Sequence, residues 1–546
     1  MNKTLALAAV MCCAVILPAE QSYSEFAKKL SGDQEILHAL DRLTFGPRPG
    51  DIEAVKEMGL SQWIDLQLHP ERIPENQALE RLLEPLAEPA APALPAAGAD
   101  LLGRQAALRQ LLTPQQIRLL RIGTATEARE FLATLPREKA RQVLALMPAV
   151  RQKVSAGAVN KAGQAAPAAQ RQPSRNLAQA KLYSAIESDR QLEQVLADFW
   201  FNHFNVDASK GADRYLIASY DRDAIRPHVL GKFRDLLEAT ATSPAMMFYL
   251  DNWQSTVARP NARQPKQAAR GLNENYAREL MELHTLGVDG GYTQKDIVEV
   301  ARCFTGWTID QPRLGGPFTY NDRMHDKGEK TVLGVTIPAG GGKGDGETVL
   351  DMLAQQPSTA KFISRELAQR FVADDPPPAL VERMAKTFRD SDGDIRAVLS
   401  TMFTSPEFFS QGAYRAKVKT PFEMIVSAVR ATGAQVDDAG LLVSQAAALG
   451  QPLYRKQEPT GYSNVGEDWM NSAALLARMN FALRLAQNQM EGVKVNLETF
   501  SAVPATAARQ LLFADAAQQT LDAIGSEQNP GLIAGMLLGS PDFQRR

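Results

Sequence analysis

Apolar residues at helical spacing, interrupted every few turns by glycine or proline, run along nearly the whole of this chain. Ile36, Leu37, Leu40 and Leu43 make one such stripe, with Asp33 as the expected N-cap and Gly46-Pro47 as the stop. A second helix is expected over 51–58 with Gly59 closing it, and a third from Ser61 carrying Trp63, Ile64 and Leu68. A chain patterned this way buries stripes of helix against one another, so the class is mainly α, a large multi-helix globular domain. Of its 546 residues 45% are apolar, enough for a substantial core. Lys plus Arg number 60 and Asp plus Glu 62, a net charge of −2 that removes the basic footprint of a nucleic-acid binder.

Residues 1–24 read as a signal peptide: Lys3 supplies the positive start, and 5–18 is an apolar run too short for a stable membrane helix. Cleavage is expected after Ala19 or Ser24. Met11 and Cys12 are not the small residues that precede an acylated cysteine. Cys12 and Cys13 leave with the signal, so the mature chain keeps Cys303 alone and forms no internal disulfide, cysteine-rich zinc site or iron–sulfur cluster. No later stretch approaches the length of a membrane span. The expected location is periplasmic or secreted.

After an N-terminal helical segment of the main domain over 25–84, composition shifts. An insertion over 85–175 is rich in alanine and proline, with helical periodicity over 101–112, 126–135 and 137–147. The main helical domain resumes over 176–546. Within it 191–203 carries Leu192, Val195, Leu196 and Phe199 inward, 272–286 is one helix stopped by Gly287, and Thr293 and Asp296 open the next. One small β excursion is expected, a hairpin near 318–335 around the turn His325-Asp-Lys-Gly328.

Six histidines are present, and three lie in polar or turn-rich contexts. His203 ends a helix below Phe199 and Trp200, either as a ligand or base against an aromatic wall or as a core histidine bonded to a carbonyl. In 273–286 the helical rotation of about 100° per residue puts Asn275, Arg278, Glu279 and Glu282 on one face and His284 opposite Asn275. Glu279, Glu282 and His284 therefore do not close on one metal from an unbroken helix, but Glu279 and Glu282 suit acid–base work or a hard cation with help from elsewhere. The plain alternative is an Arg278–Glu282 ion pair. At the tip 324–330, Asp326 is placed to orient His325 as a base, with Arg278 and Arg302 as candidate anion holders. The glycine-rich run 340–344 lacks the Ser or Thr that a P-loop needs after Lys343, and 390–394 is better read as a cap for the helix from Ile395 than as a calcium loop.

Several longer segments carry a family resemblance. Leu37-His-Ala-Leu-Asp-Arg-Leu-Thr-Phe-Gly-Pro-Arg-Pro-Gly50, Phe199-Trp-Phe-Asn-His-Phe204, Ala224-Ile-Arg-Pro-His228 and Asn273-Glu-Asn-Tyr-Ala-Arg-Glu-Leu-Met-Glu-Leu-His-Thr-Leu-Gly287 are similar to the bacterial family catalogued as domain of unknown function 1800. So are Gly290-Gly-Tyr-Thr293, Thr305-Gly-Trp307, His325-Asp326, Lys417-Val-Lys-Thr-Pro-Phe-Glu423, Leu449-Gly-Gln-Pro-Leu453 and Thr460-Gly-Tyr462, the last with tyrosine where the family has tryptophan. The resemblance implies an exported, largely helical bacterial protein whose gene travels with that of an exported sulfatase-like partner. It supplies no reaction and no catalytic residues. Leu280-Met-Glu-Leu-His-Thr-Leu286 also looks like the distal-histidine stretch of animal-type haem peroxidases, without its continuation.

Two readings follow. In the first, a cell-envelope enzyme gathers His203, Asn205, Glu279, Glu282, His284, His325 and Asp326 into one polar cleft for metal-assisted or acid–base hydrolysis, with a divalent metal as the candidate cofactor. In the second, the same residues lock helices together in a non-catalytic scaffold or chaperone for an exported partner; a haem-binding, peroxidase-like protein is a further alternative.

Overall fold

A computed structural model of the chain describes residues 23–74, 76–86, parts of 108–150, 173–257, 271–312, 315–501, 503–513 and 516–546. The expected signal lies outside them up to residue 22, as does much of the expected insertion. The chain divides into two compact units, Met1–Ala87 with Pro173–Arg546, and Glu88–Gln172.

The larger unit is mainly α. Its innermost helix is Pro421–Thr432, every residue of which is buried. It starts where it does because Thr420 and Glu423 form a reciprocal capping box, with Pro421 at the first helical position, and Gly433 ends it in the left-handed region (φ 57°). Helices Pro173–Glu187 and Gly440–Ala448 pack on it. Burying side chains such as Phe422, Ile425 and Val426 contributes about 2 kcal/mol each to folding.

Several sequence expectations are met to the residue: the Asp51–Met58 helix ends at Gly59, Thr293 and Asp296 box the Gln294–Cys303 helix, and Asp394 caps Ile395–Phe403. The cap of the first long helix lies two residues before the expected one. Ser31 caps Gly32–Leu43 with Gln34 reaching back to its N–H, and Asp33 instead pairs with Lys56 at 2.8 Å.

Among the described residues, six short strands form three antiparallel pairs: β1 (Trp307–Ile309) with β2 (Phe318–Tyr320), β3 (Lys330–Val332) with β4 (Val335–Ile337), and β5 (Gln435–Val436) with β6 (Val493–Lys494). The expected hairpin across 318–335 is thus replaced. Phe318–Tyr320 pairs backward with β1, while Lys330–Val332 pairs forward over the turn Leu333-Gly334, both at positive φ (49° and 80°) as a two-residue hairpin turn requires. The stretch around His325 is the connection between two hairpins.

In the smaller unit, helices Ala125–Ala133 and Arg137–Leu146 accompany a separate apolar cluster that includes Leu108, Leu112, Leu120 and Val143.

Candidate functional site

His203 is the last residue of the Gln191–His203 helix, and its ring sits among aromatics: stacked on Phe199 and edge-on to Trp200 and Phe204, with centroids 6.2, 5.5 and 4.6 Å away. Its Nε2 lies 3.2 Å from the backbone oxygen of His284, the geometry of a ring N–H donating to a carbonyl. His284 is buried more deeply still, 5.0 Å from the Phe204 ring centroid. Burial strips both imidazoles of water and lowers their pKa, to about 4 for His203 and about 3 for His284, where the neighbouring His203 adds to the effect. Both rings are neutral at neutral pH.

The local chain explains how His284 arrives there. The helix expected over 272–286 is regular only over Glu274–Glu282. Beyond it the turns widen: Leu283 and His284 both donate to Glu279 O, and Leu286 donates to Met281 O at 2.9 Å. Gly287 closes the segment at φ 82°, with the Phe362 ring 2.9 Å from where a Cβ would stand. The widened turn swings His284 off its regular position and into the aromatic core.

Glu279 is half-buried on the same helix; burial and then the Glu282 carboxylate raise its pKa. Burial and then the nearby Glu282 carboxylate raise the pKa of the Tyr292 hydroxyl. The alternative Arg278–Glu282 pair is not formed, since Arg278 reaches Glu274 at 3.8 Å and Gln294 at 3.0 Å.

His325 and Asp326 belong to a different network. His325 is buried, with Nδ1 2.8 Å from Thr305 O and Nε2 3.1 Å from Asp345 Oδ2, so both ring nitrogens face acceptors. Lys330 Nζ lies 2.5 Å from the same Asp345 oxygen, and both side chains are shut away from solvent. Asp326 does not orient His325, as the sequence suggested. It takes two hydrogen bonds from Arg302 (2.9 and 3.1 Å), which hold its carboxyl below the usual range. The carboxylate on His325 comes from the end of the glycine-rich run, and Gly341 is needed there because a Cβ would stand 2.0 Å from Asp345 Oδ1.

The structure therefore brings His203 and His284 together beside the helix that carries Glu279 and Glu282. His325 and Asp326 have partners of their own, and no hydrogen bond, ion pair or ring contact among the described residues joins them to the other four. No three His, Cys, Asp or Glu side chains among the described residues are arranged to hold a metal ion. Asn205 is turned away from His203, its amide donating to the carbonyls of Lys456 and Glu458 at 2.9 Å each.

The polar cleft that does exist is lined by Asn205 of the expected set, together with residues that were not expected to form a site. Lys181 pairs with Asp198 at 2.5 Å, its ammonium 5.1 Å from the Phe422 and Tyr454 ring centroids. Glu423 is held between Arg370 and Arg546. Asn202 clamps Tyr462 through both backbone groups (2.7 and 2.6 Å), close enough that Gly461 has no room for a Cβ. Tyr454 is held at φ 61°, a strained conformation for a tyrosine. One signal was available: Asp198 and Asn202 are polar residues four apart on an otherwise apolar helix. The charges from 181, 370 and 423 come from distant segments and have no local pattern.

The fold and these sites define a mainly α protein, braced by buried polar cross-links and carrying a small polar cleft. Among the described residues, no helix is long and apolar enough to cross a membrane. The chain belongs to the family described as protein of unknown function (DUF1800), whose model matches residues 38–545. Searches of curated proteins and of solved structures find no match.

Proposed function

We propose that this is an exported, non-catalytic scaffold that works by binding a partner protein, and that the histidines and Asp326 serve to lock its helices. The observation that carries this reading is the state of those side chains. His203 is bonded to a backbone carbonyl, His325 to a carbonyl and a buried aspartate, and Asp326 to an arginine. A general base needs an accessible lone pair, and a metal ligand needs a convergent set. Here both ring nitrogens of His325, the Nε2 of His203 and the carboxylate of Asp326 are engaged in holding segments together. Export rests on the N-terminal pattern of charge and apolar residues. The resemblance names the first candidate partner, an exported sulfatase-like protein.

A second reading is favoured by one feature. Glu279 and Glu282 are partly buried carboxylates one helical turn apart, and burial together with the Glu282 charge raises the pKa of Glu279, as suits a general acid. Acid–base hydrolysis would run through these two residues.

Light scattering on the chain mixed with the exported sulfatase-like protein, run beside an assay of the chain alone on ester and phosphoester substrates, separates the two. The scaffold reading expects a stoichiometric complex that survives Glu282→Gln, and no turnover above background. Turnover by the chain alone that Glu282→Gln abolishes, with no complex formed, overturns it.

A further inference from the structure

Lys330, Asp345 and His325 bring an amine, a carboxyl group and an imidazole together at one oxygen atom. Lys330 stands on β3 opposite Ile337, and Asp345 is the second residue of the Gly344–Ala354 helix. Lys330 Nζ lies 2.5 Å and His325 Nε2 3.1 Å from Asp345 Oδ2. The Lys330 ammonium also donates to Asp326 O, which fixes the side from which it meets the carboxyl group. Exposure of the Lys330, His325 and Asp345 side chains is 0, 0 and 1%. Aromatic rings close over the group: Tyr320 stands edge-on to His325 with centroids 5.7 Å apart, and Trp307 lies 2.7 Å from where a Cβ on Gly346 would stand.

An ion pair sealed in this way is costly, because both charges have left water. Moving one proton from Lys330 to Asp345 removes both charges and leaves a neutral amine against a carboxylic acid, the two reactants of an amide. In water, ionisation of both groups and the excess of solvent oppose that condensation. Here the fold excludes water and holds the amine in contact with the acid, so the encounter is already made. The imidazole is oriented to help. Its Nδ1 donates to Thr305 O at 2.8 Å, which leaves Nε2 facing Oδ2 as the atom that takes up and returns a proton.

We propose that Lys330 and Asp345 join in an intramolecular isopeptide bond, with His325 as the proton carrier. The Lys330 amine adds to Asp345 Cγ and forms the C–N bond. A second nitrogen proton, relayed by His325, completes a water molecule at Oδ2 as the Cγ–Oδ2 bond breaks. One ammonium and one carboxylate become one secondary amide and one water, with nothing oxidised or reduced. The bond ties the β3–β4 hairpin to the start of the helix and encloses the glycine-rich run 340–344 in a covalent loop. It concerns the chain's own construction and does not depend on the partner-binding reading above.

Tryptic mapping of the whole protein, denatured after purification, tests this. Trypsin does not cut after a lysine whose side chain is acylated, so a bonded Lys330 leaves residues 328–343 in one piece. The expected product is that piece joined to residues 344–361, lighter than the two together by one water, with fragmentation placing the link between Lys330 and Asp345. Asp345→Ala should remove the branched peptide. In freshly synthesised His325→Gln the link should form about a hundredfold more slowly, the scale of general acid–base help. If either variant does not fold, the map of the native chain decides alone. Cleavage after Lys330 with residues 344–361 recovered unlinked, or a link to another acidic residue, overturns the proposal; a link formed at the native rate in His325→Gln overturns the role of His325.

Discussion

His203 and His284 illustrate how burial decides what an imidazole can do. In water each has a pKa near 6.5; inside the aromatic core the values are about 4 and about 3. The sign of the linkage follows. Between those values the unfolded chain binds protons that the folded chain refuses, so stability rises with pH through this window and is fully present above about 6.5. Denaturant unfolding is expected to show stability falling as the pH is lowered from neutrality toward 4, by about 3 kcal/mol from His203 alone at ~1.4 kcal/mol per pH unit. The variant His203→Gln, which keeps a donor for the His284 carbonyl but cannot titrate, should flatten that slope. An unchanged slope would mean the ring is already hydrated in the native state.

The same residues show what local sequence conveys. His203 under Phe199 and Trp200 is visible from helical spacing, and so is the choice between a base and a bonded core histidine. The partner carbonyl on His284, 81 positions away, is not. Asp345 is hidden for a similar reason: 20 residues separate it from His325, inside a glycine-rich run whose role is close packing rather than phosphate binding.

Element boundaries were legible where the chain caps itself. Thr293 with Asp296, Gly59 and Asp394 use only neighbours within a few residues, so the sequence contains the whole interaction. The β pairs were not legible, because three-residue strands carry too little alternation to name a partner. The polar turn at 325–328 competes on paper with Leu333-Gly334, which supplies the positive φ values a tight hairpin needs. The widened turn after Glu282 is not legible in the sequence, because the helical periodicity continues without a break to Gly287. That glycine is the element's weak point. Gly287→Ala must place a methyl group 2.9 Å from the Phe362 ring at φ 82°, and should cost about 2 kcal/mol or more, measured by urea unfolding. A loss within a few tenths of a kcal/mol would show that the turn relaxes freely and does not fix His284.

At the scale of the molecule, mainly α class and family followed from periodicity and from long segments of resemblance. Those segments turn out to have a shared structural purpose. Phe199–204, the Lys417–Glu423 stretch, 449–453 and 460–462 meet around the polar cleft, where Asn202 clamps Tyr462 and Glu423 balances two arginines. Of the seven residues expected in a single hollow, His203 and His284 meet beside the helix that carries Glu279 and Glu282, while Asn205, His325 and Asp326 bond to other segments. That division is why binding, and not turnover through those residues, is the reading put forward.

The most direct test of this account is an NMR titration of the protein labelled with nitrogen-15 in its histidines. The account predicts that His203 and His284 remain neutral down to about pH 5, with the proton of His203 on Nε2, and that a divalent metal leaves both signals in place. Protonation of either ring near pH 6.5, or its signal shifting on addition of metal, would contradict it.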